Sequence, residues 1–350
     1  KDNELVAPYY VYSIQEGFYN KINFNGQALP IGGSDKGNGK AYFKSGISLY
    51  SIDKGEKIEL IYSDASDFQI HSIIEDQVVL LRESNLYALH TAKGTLMQLT
   101  NVQPGNTPAP DAELNYLEEQ QETLFETVRV KKAKLKAERD YQKLTSPQFI
   151  KPFYLEGWSL NNIVINHELN TAAISKSRNP KNTKTQYMAY VSTDGYSAAK
   201  KARSKVGAEN PKHELFIWHL DQDTTIQIDF SNLSGVNNAP EYYTDYLERE
   251  TENYEKELIY HLHGFNNSGD KCLIEIKSYD NKDRWLCYYD VASGELKETN
   301  HQYDAAWIGG PGISSWNMAK GNVGWMDDNS YYFQSEKTGY SHLYMTNTKS

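Results

Sequence analysis

The chain has 350 residues, with 36 Lys and Arg against 46 Asp and Glu for a net charge of −10. That acidic balance opposes phosphate backbones and anionic lipid, which argues against nucleic-acid or membrane-surface binding, and no apolar run approaches the ~20 residues that span a bilayer. Tyr occurs 27 times; aromatic and β-branched residues suit half-buried pleated surfaces, so the composition points to β structure.

Strand signals dominate from Tyr9 to Thr100, with Asn25-Gly26 reading as a tight hairpin turn. A strand of the form Leu-Tyr-x-apolar then recurs along the chain, each copy following another strand and a polar turn. The copies are Leu49-Tyr50-Ser51-Ile52, Leu86-Tyr87-Ala88-Leu89, Leu215-Phe216-Ile217-Trp218, Trp285-Leu286-Cys287-Tyr288 and Leu343-Tyr344-Met345-Thr346. After each of the first four, a short turn such as Ala92-Lys93-Gly94 or Ala292-Ser293-Gly294 delivers a further strand. The fifth runs into Asn347-Thr348-Lys349-Ser350, where that turn is due. Short strands with regular turns predict an all-β chain, a β-propeller of four-stranded blades, with a sandwich as the alternative. A blade without its outer strand exposes an unpaired edge, so residues 1–350 are expected to form a propeller domain that is incomplete at its C-terminus.

Three segments interrupt the pattern. Residues 111–144 contain no Pro or Gly and carry Leu114, Leu117, Leu124, Val128 and Leu135 at helical spacings, acids in the first half and bases in the second. This predicts an inserted long charged α-helix whose charges complement its dipole, with one narrow packed stripe. Residues 176–213, rich in Lys, Asn, Ser and Gly, separate a strand at Thr171–Ser175 from Glu214. Residues 240–257 hold Tyr242, Tyr243, Tyr246 and Tyr254 among Glu248, Glu250, Glu252, Glu255 and Glu257. Insertions in such repeats leave the sheets intact and gather on one face, commonly the binding face. The tyrosine and acid cluster of the last segment can receive a cationic group, although a charged run more often forms a solvated face.

Catalytic signatures are absent. Nothing fits Gly-x-Ser-x-Gly, and Gly157-Trp158-Ser159-Leu160-Asn161 lacks the closing glycine. No nucleotide loop or His-Glu-x-x-His helix occurs. His261 and His263 share a strand face without an evident third ligand, so they read as ordinary core or surface histidines, and no metal or cofactor is expected. Cys272 and Cys287 fall on neighbouring strands but not opposite one another, which predicts buried free thiols. Carboxylate pairs for glycoside chemistry are set by spatial separation, so a propeller glycosidase stays open as an alternative.

Three blocks, Asp280-Asn281-Lys282-Asp283-Arg284-Trp285, Asp304-Ala305-Ala306-Trp307-Ile308-Gly309-Gly310-Pro311-Gly312 and Ser335-Glu336-Lys337-Thr338-Gly339-Tyr340-Ser341-His342-Leu343-Tyr344, resemble the N-terminal β-propeller of the dipeptidyl peptidase IV and prolyl oligopeptidase family, particularly its bacterial members. Tyr190-Val191-Ser192-Thr193-Asp194-Gly195-Tyr196 and Ala202-Arg203-Ser204-Lys205-Val206-Gly207 are similar to that family's inserted loop. The resemblance implies a seven- or eight-bladed propeller followed in the parent protein by a C-terminal α/β-hydrolase domain that supplies the Ser, Asp and His. It implies a periplasmic or secreted serine peptidase whose propeller gates and orients short peptides; separately, the unpaired edge beside Leu343-Tyr344 makes a homodimer an expectation. In the family's dipeptidyl peptidases an adjacent glutamate pair receives the peptide's amino terminus. Here Glu118-Glu119 is the directly adjacent pair and lies in the charged helix, so the pair does not carry over. Glu248, Glu250 and Arg203 are the candidate substrate-binding residues, and no catalytic residue is assigned. The rival from another class is a noncatalytic propeller that binds a protein or glycan, with the long helix as docking arm.

Overall fold

The computed structural model describes residues 9–13, 18–22, 29–30, 40–53, 57–108, 126–145, 150–181, 183–191, 193–248, 251, 254–313 and 318–349. A hairpin of β1 (Tyr9–Ser13) and β2 (Phe18–Ile22) opens the chain, and five successive antiparallel sheets follow. Sheet I contains β3 (Leu29–Pro30), β4 (Lys40–Ser45), β5 (Ser48–Asp53) and β6 (Lys57–Ser63). Sheet II contains β7 (Gln69–Ile74), β8 (Gln77–Arg82), β9 (Asn85–His90) and β10 (Thr95–Gln98). A connection with β11 (Val102–Gln103), α1 (Glu126–Thr145) and β12 (Phe153–Tyr154) leads to sheet III. That sheet contains β13 (Ser159–Ile165) and β14 (Thr171–Arg178). After an inserted hairpin of β15 (Lys184–Ala189) and β16 (Ala198–Ser204), it is completed by β17 (Lys212–His219) and β18 (Thr224–Gln227). Following α2 (Glu241–Asp245), sheet IV is the meander β19 (Leu258–Phe265), β20 (Lys271–Ser278), β21 (Asp283–Asp290) and β22 (Glu295–Tyr303). Sheet V has β23 (Val323–Trp325), β24 (Ser330–Ser335) and β25 (His342–Asn347).

Sheets II, III and IV are each covered on both faces by neighbouring sheets. Leu49 of sheet I packs with Val78 and Leu80 of sheet II, and Val79 and Leu86 with Ile163 and Ile174 of sheet III. Ala173 and Leu215 pack with Cys272 and Ile274 of sheet IV, and Leu273 and Leu286 with Tyr331 and Phe333 of sheet V. Central strands therefore send alternate residues into two different cores, which is why β8, Gln-Val-Val-Leu-Leu-Arg, is apolar without alternation. Sheets of about four strands stacked face to face in sequence order are the blades of a β-propeller.

The recurrent Leu strand is the third of every blade. Leu49, Leu86, Leu215 and Leu286 are fully buried and face the following sheet. The fourth copy therefore aligns on Leu286, one residue later than the sequence pattern suggested, because Trp285 points the other way into the core shared with sheet III. In sheet V the matching residue is Leu343, 68% exposed. Among the described residues β25 pairs with β24 alone.

Strand Thr171–Arg178 is the second of its sheet, since β13 precedes it. It pairs along its whole length with β17, from Thr171 opposite His219 to Arg178 opposite Lys212, so the insertion expected over 176–213 narrows to 179–211. The Asn25-Gly26 turn lies outside the described residues, as do residues 111–125 of the segment expected to be helical over 111–144; α1 occupies Glu126–Thr145. Leu135, expected in a packed stripe, is exposed. Cys272 lies opposite Tyr289 and Cys287 opposite Ile274, and both thiols are free and buried.

The helical excursion begins and ends at adjacent points. Val102 and Gln103 pair in parallel with Phe153 and Tyr154, and Asn101 Nδ2 donates to the Ile150 carbonyl at 2.8 Å. Excising 109–149 and closing the gap with a short glycine–serine linker is expected to preserve the strand circular dichroism and to move the unfolding midpoint by less than about 3 °C, the shift that roughly 1 kcal/mol produces in a large domain. Collapse of the strand signal would place the helix in the core.

Candidate functional site

In a four-stranded meander the turn between strands two and three and the connection to the next sheet lie at the same end. That end receives the α1 excursion, the β15–β16 hairpin, the 228–257 connection with α2, and the 304–322 connection before β23. The opposite end carries short turns only, among the described residues.

At the elaborated end the β20–β21 turn is tied to the connections beside it. Asp280 shapes it by accepting from Ser278 Oγ at 2.5 Å and from Lys282 N at 3.1 Å, and Asn281 takes a left-handed φ of +59°. Asp304 N donates to Lys282 O and Ile308 N to Asn281 O, at 3.0 and 2.6 Å; Lys282 Nζ donates to Ala305 O and lies 5.7 Å from the Tyr242 ring centroid. The Ser341 hydroxyl donates to Pro311 O at 2.7 Å. Gly310 has a φ of +127°, and a Cβ there would stand 2.0 Å from Glu336 Oε1, so only glycine fits. The 280–285, 304–312 and 335–344 blocks are thus one structural knot.

Two buried charge clusters flank this turn, because successive residues of β21 point to opposite faces. Towards sheet III, Asp283 accepts from Lys256 Nζ at 2.5 Å and contacts His301 Nε2 at 2.7 Å, while His301 stacks on Trp285. Towards sheet V, fully buried Glu275 meets Arg284 Nε at 2.7 Å, His263 Nε2 at 3.1 Å, Lys277 Nζ at 3.5 Å and the Gly321 N–H at 2.7 Å. Arg284 Nη1 continues to Gln334 O, and Lys277 Nζ to Ile313 O and Ala319 O. Burial alone would push the Glu275 carboxyl up. The His263 hydrogen bond and the Arg284 and Lys277 charges overcome this and hold it well below the usual carboxylate range. These clusters anchor the 235–256 and 310–322 loops.

Above the turn lies an acidic, tyrosine-rich patch. Tyr303 is shifted upward by burial and then by the charges of Glu241, Asp283, Asp280 and Asp304. Tyr242 and Tyr254 are raised by burial and next by Asp280. Tyr243 and Tyr254 meet edge to face at 4.9 Å. Aromatic faces beside fixed carboxylates suit a cationic group.

Glu248 is exposed just beyond α2 at this same end, with a φ of +48°. Glu250, like Glu118-Glu119, lies outside the described residues. Arg203 sits exposed on β16, whose hairpin pairs only with itself among the described strands, and no ion pair joins Arg203 to Glu248. The sequence reading missed Asp280, Tyr303 and Glu275 as members of one site. Glu275 and Lys277 alternate with apolar residues, a pattern that reads as a solvent face, so no local signal marked them.

Ser72 Oγ lies 3.1 Å from His71 Nδ1, but the two are chain neighbours and His71 Nε2 is occupied by the Ile163 carbonyl at 2.8 Å rather than by a carboxylate. Among the described residues no group of three His, Cys, Asp or Glu side chains could hold a metal, and no helix is long and apolar enough to cross a membrane.

Stacked blades with elaborations gathered at one end define a β-propeller domain. The signature described as "Dipeptidyl peptidase IV (DPP IV) N-terminal region" matches residues 176–350, and the chain belongs to that family. Among solved structures it is similar to dipeptidyl peptidase 4 of Porphyromonas gingivalis, at 12% identity and a TM-score of 0.46 over 92% of this chain and 36% of that one. It is also similar to a protein described as a dipeptidyl aminopeptidase IV from Bacteroides ovatus, at 10% identity and a TM-score of 0.44 over 93% of this chain and 43% of that one. The chain therefore spans well under half the length of either. No curated protein matches it.

Proposed function

We propose that this chain is the propeller of an exported serine exopeptidase, which gates and orients short peptides for an α/β-hydrolase domain elsewhere in the parent protein. In that reading residues 1–350 form the propeller unit, and the exposed Leu343 face is covered by further parent structure. The observation that carries the reading is the acidic tyrosine patch around Asp280. It stands on the family's own sequence blocks and is suited to a peptide's free ammonium group. Glu248 and Glu241 supply exposed carboxylates at its rim, and Tyr242 and Tyr303 supply the aromatic walls.

A fluorescent tripeptide with a free amino terminus is expected to bind the 350-residue chain at least fivefold more tightly than its N-acetylated form. The exposed double variant Glu241→Gln/Glu248→Gln should erase that preference without altering the melting temperature. The chain alone should not label with a fluorophosphonate probe. Equal binding of the two peptides, or stoichiometric serine labelling, would overturn the reading.

A further inference from the structure

A second concavity lies on the flank where the outer strands of sheets III and IV face one another, beside the first residues of the 228–257 connection. It encloses about 420 Å³ between the end of β18 with its following turn and the start of β22. This is within the range of small-molecule sites. Ile228, Leu233 and Leu296 supply apolar surface, while Asp229, Glu295 and Glu298 bring three carboxylates to the lining.

Two of those carboxylates are held in place. Asp229 accepts from both the Ser231 N–H and its hydroxyl, at 2.9 and 2.8 Å. Glu298 accepts from the Ser234 N–H at 2.8 Å and from its hydroxyl at 2.5 Å. Each oxygen retains a lone pair for a further donor. Independently of the acids, Tyr289 also lines the cavity. It is only 2% exposed, and its hydroxyl has no hydrogen-bond partner. That hydroxyl lies at the wall beside Gly294, 3.7 Å from where a Gly294 side chain would begin. A buried hydroxyl without a partner is costly, and its presence at a cavity wall points to a bound group that satisfies it.

The chemistry narrows the ligand. Among the described residues the acids do not converge closely enough to hold a metal ion, so the matching cation is extended rather than a point charge. The apolar walls call for a hydrocarbon stem. We propose that this flank cavity binds a primary ammonium carried on a short alkyl chain, either a free diamine or a lysine side chain. The site is separate from the peptide-binding reading, and either can fail without the other.

The test is isothermal titration of the 350-residue chain with 1,5-diaminopentane, with Nα-acetyl-lysine amide and with 1-pentanol. Saturable binding of either amine is expected, with at least tenfold weaker binding in Asp229→Asn/Glu295→Gln and a smaller loss in Tyr289→Phe, all with unchanged thermal unfolding. Tighter binding of the diamine identifies a free amine as the ligand, and tighter binding of the lysine amide identifies a side chain presented by a protein. Absence of amine binding, equal binding of pentanol, or affinity that survives the double variant would overturn the proposal. Should the double variant unfold, Glu295→Gln alone, at an exposed position, carries the same test with a threefold threshold.

Discussion

Glu275→Gln is expected to destabilise the chain by about 3–5 kcal/mol, the scale seen when one member of a buried ionic cluster is removed. The substitution keeps the shape but leaves Arg284 and Lys277 inside the seam between sheets IV and V without their counter-charge. Gly321 adds to the demand. A Cβ there would stand 2.8 Å from both Arg284 Nη2 and Glu275 Oε1, so the chain approaches closely enough to donate its N–H to the carboxylate. Replacing the charged group together, as Glu275→Leu/Lys277→Met/Arg284→Met, should recover much of the loss, because a well-packed apolar seam no longer buries unpaired charge. Urea unfolding followed by tryptophan fluorescence measures both. A single-variant loss below about 1 kcal/mol would show that water reaches the cluster, against its full burial. The carboxyl's folded pKa is depressed, so its contribution is complete above its unfolded value of 4.5 and is lost as the pH falls towards its folded one.

Acid should weaken the fold earlier than that carboxylate would. Burial lowers both His213 and His261 from 6.5 to about 4. His213 Nε2 sits 2.7 Å from the Tyr279 hydroxyl, and His261 Nε2 is buried without a hydrogen-bond partner. Between those two values the unfolded chain binds protons that the folded chain refuses, so stability rises with pH through this window and falls as the solution is acidified. Each histidine contributes a slope of at most about 1.4 kcal/mol per pH unit. Unfolding free energies measured from pH 7 to pH 4 are expected to decline, and His213→Gln/His261→Gln should flatten the curve. A decline of unchanged slope in the double variant would assign the acid sensitivity to other groups.

The blade repeat was readable because its third strand carries a large apolar residue at a fixed distance from polar turns. Its register at the fourth copy was not. Trp285 and Leu286 are both fully buried, one against each neighbouring sheet, so the alternation that normally separates inside from outside vanishes. The same two-sided burial hid the Glu275 cluster, since charged residues alternating with apolar ones in Lys-Cys-Leu-Ile-Glu-Ile-Lys-Ser read as a solvent face. Insertions showed in composition, which changes abruptly, whereas their exact limits depended on how far β14 and β17 zip together. The acidic patch is assembled from α2, the β20–β21 turn and the end of β22, and no local pattern links such distant segments.

The short turns at the plain end of the propeller form a staircase. Asn166, nearly fully buried, accepts from the N–H groups of Asn170 and Thr171 and lies against Gly269 of the next sheet. Asn266 holds its own turn in the same way through the Lys271 N–H, then donates to Asp328 O of sheet V at 2.9 Å, while Asp328 Oδ1 accepts from Ser268 N at 2.8 Å. Each step thus rests on the one before it, and a blade is coupled to its neighbours at the rim as well as through the core. In a structure with nearest-neighbour coupling of this kind, loss of order travels from one unit to the next. A pull applied at β25 would accordingly peel sheet V, then sheet IV, then sheet III, giving force steps in reverse chain order, with the asparagine steps acting as the latches between them.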